Sequence, residues 1–315
     1  MPEQLCTVGD VELCYETFGD PSAPAMLLTM GLATQMLGWH EDLCEALADR
    51  GFHVIRFDNR DVGRSQHMDG PVPSPLQLLR RDKRAASYTL DDMARDGVGL
   101  LDHLGIEAAH VVGASMGGMI AQTMAARHPD RVLSLVSWMS NTGAHWSGRP
   151  SPLIWPVLLT KPPRGRESYM EHAVRVFAKI GSPGFEPDDD DLRRIAGMSY
   201  DRGLNPAAGA RQLAAIIHSG DRTPLLRTIT APTLVIHGSK DRMIPLSGGR
   251  ATARAIPGAR LLVIEGMGHD MPRAAWPQIL DAIEQNAARA AGGAQRDIAP
   301  HGMNRWAGPP PSPTM

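Results

Sequence analysis

The hydrophobic positions of this chain change rhythm repeatedly. LCTV and VELCYETFG, joined at Gly9-Asp10, read as a hairpin. AMLLTMG (25–31) is a short apolar run closed by glycine, as expected of a strand buried on both faces. In HEDLCEALADR (40–50) the apolar residues recur at helical spacing, with Gly51 as a stop. FHVIRFD (52–58) is apolar again and runs into a polar turn, NRDVGRS. TLDDMARDGVGLLDHL (89–104) predicts a helix: Thr89 suits the N-cap, Asp91 and Asp92 fall in the first turn, and Gly105 ends it. HVVGAS (110–115) predicts a strand, MGGMIAQTMAARH (116–128) a helix stopped by Pro129, and RVLSLVSWM (131–139) a further strand.

Such alternation predicts an α/β fold, a mostly parallel sheet with helices on both faces. The pattern breaks between about 143 and 225, where Pro and Gly are frequent and helices are predicted at 167–180, 188–200 and 206–218 without a buried strand. This stretch reads as an inserted helical cap (143–225) within a core of residues 1–142 and 226–290. Alternation resumes with TLVIHG (233–238), a helix near 247–255, ARLLVIEG (259–266) and a helix over 272–289. Residues 291–315 are rich in Gly, Pro and Ala without periodicity, and read as a mobile tail.

Composition narrows the function only by exclusion. Hydrophobic residues make up 43% and charged residues 21%, ordinary for a globular domain. A net charge of −2 gives no reason to expect a nucleic-acid partner. The basic segment LLRRDKRAASY (78–88) reads as a solvated loop. Cys6, Cys14 and Cys44 suit neither a disulfide framework nor a zinc site, and read as small buried hydrophobes in a reducing compartment. No basic segment precedes an apolar run at the N-terminus, and no run of about 18 apolar residues exists, so the expected location is the cytoplasm. No metal or cofactor is expected: GASMGG lacks the lysine and the spacing of a phosphate loop.

The chemistry sits at strand ends. Gly113-Ala114-Ser115-Met116-Gly117 matches G-x-S-x-G, with an apolar strand before it and a helix directly after. A serine on such a sharp turn needs small neighbours, which Gly113 and Gly117 supply. A serine hydroxyl needs a base, and the base an orienting carboxylate, in the chain order Ser, acid, His. Of the 12 histidines, His269 in EGMGHDMP lies on a Gly-rich loop after the last predicted strand. Asp241 in TLVIHGSKDRMIP is the only carboxylate between its strand and the next helix. Ser115, Asp241 and His269 are therefore the expected triad. The oxyanion donors are expected to be the backbone N–H groups of Leu32, in the loop after AMLLTM, and Met116.

Together MGLATQMLGW, HVIRFDNRDVGRS, HVVGASMGGMIAQ, TLVIHGSKDRMIP and EGMGHDMP resemble the α/β-hydrolase superfamily. Within it they are most similar to a bacterial serine esterase/lipase branch that includes mycobacterial lipases and aclacinomycin methylesterase. The resemblance covers residues 5–288 and implies an eight-stranded sheet and hydrolysis of a carboxylic ester through an acyl-enzyme. It departs from many members in two places. Met30 stands where His often precedes the oxyanion glycine, and Asp61 stands where Asp-x-Arg-Gly has its glycine. Aspartate at the nucleophile position would have suggested a dehalogenase or epoxide hydrolase, and serine argues against both.

The expected substrate is a small hydrophobic ester, with a short-to-medium acyl chain or a methyl ester. Met36, Met119, Trp138, Met139, Trp146 and Trp155 are its candidate pocket residues. The same triad also serves perhydrolases, thioesterases and C–C hydrolases, and a ligand-binding protein on this fold is the remaining alternative.

Overall fold

In the computed structural model, which describes residues 2–149, 151, 154 and 163–291, eight strands form a single sheet. They are β1 (Gln4–Val8), β2 (Val11–Phe18), β3 (Ala25–Thr29), β4 (His53–Phe57), β5 (Ala109–Ala114), β6 (Val132–Trp138), β7 (Thr233–Gly238) and β8 (Arg260–Ile264). Their order across the sheet is β1-β2-β4-β3-β5-β6-β7-β8. The β1–β2 and β2–β4 pairings are antiparallel and all others parallel, giving the mostly parallel sheet the alternation predicts.

Side chains on a strand point alternately to opposite faces, so a doubly covered sheet must be apolar at successive positions. Leu27, Val111 and Leu135 enter one core with Met93, Leu100, Ile120 and Met124 from α3 (Leu90–His103) and α4 (Met116–Arg127). Their neighbours Leu28, Val112 and Val136 enter the other. There they meet Leu43 and Leu47 of α1 (Glu41–Ala48) and Ile279 and Ile283 of α10 (Trp276–Ala291). A capping box starts α3: the Thr89 hydroxyl accepts the Asp92 N–H at 3.2 Å, and the Asp92 carboxylate accepts the Thr89 N–H at 2.8 Å.

Between β6 and β7 lie α5 (Arg166–Ile180), α6 (Asp189–Asp201), α7 (Ala208–Ser219) and the short α8 (Thr223–Leu226), close to the helices expected there. A further helix, α9 (Leu246–Ala255), separates β7 from β8. The inserted helices are tied to the sheet by buried polar groups. Arg202, just past α6, donates to Asp58 at 2.7 Å and to Glu3 at 2.8 Å.

Two readings are corrected. The basic segment (78–88) is loop except at its edge and in one turn: α2 (Pro75–Leu79), begun at a Ser74–Gln77 capping box, takes in Leu78 and Leu79, and Lys83–Ala85 form a 3-10 turn. One turn and a half is too short to show helical periodicity. The last helix begins at Trp276, not at 272, because Arg273–Ala275 form a separate 3-10 turn after Pro272. Residues 292–315, which hold nearly all of the expected tail, lie outside the described residues. Among the described residues no helix is long and apolar enough to cross a membrane.

Candidate active site

The β3 and β5 strands are adjacent and parallel, and the chain leaves this pair toward opposite edges of the sheet. A crevice opens beyond the carboxyl ends of strands at such a reversal. Ser115 stands there, between the end of β5 and the first residue of α4. Its backbone is left-handed, with φ +56°, and its N–H donates to the Trp138 carbonyl at 2.9 Å. Holding a non-glycine residue there costs about 1–3 kcal/mol, offset by the surrounding packing.

The glycines explain how the turn closes. A Cβ on Gly117 would sit 2.1 Å from the Thr29 carbonyl oxygen, and one on Gly113 would sit 2.1 Å from the Gly117 carbonyl oxygen. Backbone therefore touches backbone where β3, β5 and α4 meet. Gly117→Ala is expected to cost about 1–3 kcal/mol by overpacking and to lower Tm by about 3 °C or more in thermal unfolding. An unchanged Tm would mean that the junction relaxes around the methyl group.

Ser115, His269 and Asp241 come together. The Ser115 Oγ lies 3.0 Å from His269 Nε2, and His269 Nδ1 lies 2.7 Å from Asp241 Oδ2. The Asp241 side chain is fully buried and that of His269 is 10% exposed. The other Asp241 oxygen, Oδ1, accepts the N–H groups of Met243 at 2.9 Å and Ile244 at 2.8 Å. These bonds fix the carboxylate and leave Oδ2 free to face the imidazole. His237 Nε2 lies 3.6 Å from the same Oδ2 but donates to the Ile244 carbonyl at 2.7 Å. Burial pushes the His237 pKa down, which favours the neutral ring.

Leu32 follows β3 in the loop beside the serine: a Cβ on Gly31 would lie 3.2 Å from the Ser115 Cβ. Met116 is the first residue of α4, so its N–H has no intrahelical acceptor. The Thr34 N–H donates to the Gly31 carbonyl at 3.3 Å, closing a turn whose third residue, Ala33, has φ +52°. The Asn59 side chain donates to the Met30 carbonyl at 2.9 Å, and Asp58 accepts the Met36 N–H at 2.7 Å.

The loop carrying His269 is held by the inserted helices, which sequence reasoning did not find. The His269 N–H donates to the Ile180 carbonyl at 2.7 Å, and the Gly268 N–H to Ser182 Oγ at 2.8 Å. Ser182 in turn donates through its hydroxyl and its N–H to Asp270. Burial holds the Asp270 carboxyl above the usual carboxylate range. Its oxygens turn toward Ser182.

Asp61 occupies the position of the missing family glycine with φ +76°, a left-handed backbone that aspartate tolerates better than most residues. Its buried carboxylate accepts from the Tyr88 hydroxyl at 2.7 Å and from Asn205 and Arg211 at 3.0 Å each. The departure from glycine thus ties this turn to the inserted helices. Among the described residues no three His, Cys, Asp or Glu side chains converge as a metal site requires.

A family model described as the alpha/beta hydrolase fold matches residues 24–272. The chain belongs to the α/β-hydrolase family. This α/β hydrolase is 31% identical over 307 residues to the rhodomycin D methylesterase DauP of Streptomyces sp. strain C5, covering 90% of this chain and 97% of that one. It is 29% identical over 269 residues to 3-oxoadipate enol-lactonase 2 of Acinetobacter baylyi, covering 82% and 87%. Among solved structures it is similar to a thermophilic esterase from Thermogutta terrifontis, with TM-score 0.69, 26% identity and coverage of 92% and 99%.

The candidate pocket residues of this hydrolase divide. Met119 lies in the same apolar cluster as Met116, against which Leu32, Ile216 and Met243 pack, partly buried. Met36 is fully buried in the turn held by Asp58. Met139, with φ +43°, and Trp138 belong to the core on the opposite face. Trp138 is a correction: its ring packs 6.0 Å from that of Trp39, because residues of the parity of Val136 face α1 and α10. Trp146 is a second: it is 87% exposed, with His145 edge-on to its ring and the Arg149 guanidinium over it. Trp155 lies outside the described residues.

Proposed function

We propose that this α/β hydrolase cleaves carboxylic esters through an acyl-enzyme on Ser115, with His269 as base, Asp241 as its orienting acid, and Leu32 and Met116 as oxyanion donors. The observation that carries the reading is the continuous chain Asp241–His269–Ser115, at 2.7 and 3.0 Å. As Ser115 Oγ adds to the ester carbonyl, His269 Nε2 takes its proton. Asp241 keeps the remaining proton on Nδ1 and stabilises the imidazolium. The oxyanion faces the free N–H at the start of α4 and the one beside Gly31, two dipoles already oriented before the reaction. His269 then protonates the departing alkoxide, and water repeats the sequence on the acyl-enzyme. We also propose that the helices between β6 and β7 act as the cap, supported by Ile216, which brings apolar surface from α7 to the cluster holding Met116.

A fluorophosphonate probe is expected to label Ser115 in the folded protein, located by peptide mass spectrometry. A folded protein that leaves Ser115 unlabelled overturns the reading.

The substrate is proposed to be a small hydrophobic ester with a short-to-medium acyl chain or a methyl ester. The name of the Streptomyces relative, a methylesterase, supports the second form, and the adaptable methionines near Ser115 support an apolar group. Across nitrophenyl esters from acetate to palmitate, kcat/KM is expected to be highest among the shorter chains. Exclusive cleavage of the long ones would contradict this.

A further inference from the structure

We propose that Gln212, on the inserted helix α7, is a positioning residue that sets the oxyanion loop. Its side chain is fully buried and its carboxamide bridges two backbone groups far apart in sequence. Oε1 accepts the Ala33 N–H at 2.7 Å, and Nε2 donates to the Arg60 carbonyl at 3.0 Å. The Arg60 backbone is a firm anchor, because the Arg60 guanidinium makes a two-pronged buried pair with Asp96 at 2.7 and 2.6 Å.

The bridged N–H belongs to the peptide joining Leu32 to Ala33. That peptide is the middle of the turn closed by Thr34 on Gly31. A positive φ at the third position marks the turn type that normally recruits glycine there. An alanine prefers the alternative in which this peptide is flipped and φ is negative. Flipping would turn the Ala33 N–H away from Oε1 and exchange a part-buried hydrogen bond for an unpaired carboxamide oxygen. Gln212 therefore holds a turn that the local sequence disfavours, next to the residue proposed to bind the oxyanion. Gln35 extends the same support, donating from Nε2 to the carbonyls of Ser199 at 2.9 Å and Gly203 at 2.8 Å. The loop thus takes support from the helices between β6 and β7 as well as from Asp58 and Asn59.

The proposal rests on the ester-hydrolase reading, and the test separates the two. Gln212→Met keeps the bulk and removes both hydrogen bonds. It is expected to lower kcat for a nitrophenyl ester at least tenfold with KM within about twofold, since the oxyanion develops after binding. Ala33→Gly in the Q212M background is expected to restore at least half of that loss on a logarithmic scale, because glycine accepts the positive φ without help. A purely structural role would lower Tm and would not be relieved at residue 33. Where Q212M does not fold, Gln212→Asn, which withdraws the carboxamide by one methylene, carries the same comparison with A33G/Q212N. A folded Gln212 variant with wild-type kcat, or a loss that Ala33→Gly leaves untouched, overturns the proposal. Ester turnover that survives Ser115→Ala would instead overturn the underlying reading.

Discussion

Ser115→Ala is expected to lower kcat for ester hydrolysis on the order of ten-thousandfold or more while the protein stays folded. Only the hydroxyl is lost. The backbone keeps its φ of +56°, which alanine tolerates no better than serine, and the N–H still reaches the Trp138 carbonyl. The two proposed oxyanion donors remain, so a small residual rate through direct water attack is expected, as are substrate KM values close to wild type. A second variant separates chemistry from strain. Ser115→Gly should be as inactive as Ser115→Ala yet unfold at a higher temperature, because glycine adopts the left-handed backbone without penalty. Nitrophenyl ester kinetics and thermal unfolding of both variants check this. Ser115→Ala with more than a hundredth of wild-type turnover would remove Ser115 as nucleophile. Equal melting temperatures for the two variants would mean that the elbow stores no strain.

The sheet and the meeting of Ser115, Asp241 and His269 were legible in the sequence for a local reason. Each of the three lies just beyond its own apolar run: Ser115 directly after β5, Asp241 and His269 in the loops after β7 and β8. Parallel strands in one sheet bring their carboxyl ends to one edge, so chain order plus strand ends is enough to gather them. What holds the site was not legible, because it is not local. Gln212 and Ala33 are 179 residues apart, Arg211 and Asp61 150, Ser182 and Asp270 88. Helical periodicity tells that Gln212 faces inward, but not which backbone it meets there. Trp138 went astray for a different reason. Its place at a strand end suggested a pocket, whereas its parity with Val136 already assigned it to the core beneath. The Asp61 departure was visible, but its consequence was not. Its left-handed backbone could be guessed from the glycine it replaces, whereas its partners Asn205 and Arg211 arrive from the insertion.

Asp241→Asn is expected to lower kcat about a thousandfold to ten-thousandfold with little change in KM or Tm. The magnitude follows from which way the amide must face. Oδ1 accepts two backbone N–H groups, from Met243 and Ile244. An asparagine presents its NH2 to those donors only by losing both hydrogen bonds in a buried place, at about 1–3 kcal/mol for each orphaned group. Its oxygen therefore stays with them, and its NH2 takes the place of Oδ2, 2.7 Å from His269 Nδ1. A donor there requires Nδ1 to accept, so the ring's proton moves to Nε2. That nitrogen faces Ser115 Oγ at 3.0 Å and, protonated, cannot take the hydroxyl proton. Asp241→Ala separates orientation from mere presence. It should be as slow as Asp241→Asn but unfold at a distinctly lower temperature, because the Met243 and Ile244 N–H groups then lose their acceptor. Ester kinetics beside thermal unfolding of both variants decide the point. Asp241→Asn retaining more than a tenth of wild-type kcat would mean that the imidazole finds its working tautomer without Asp241. His237, whose Nε2 is already engaged by the Ile244 carbonyl, offers no carboxylate to replace it.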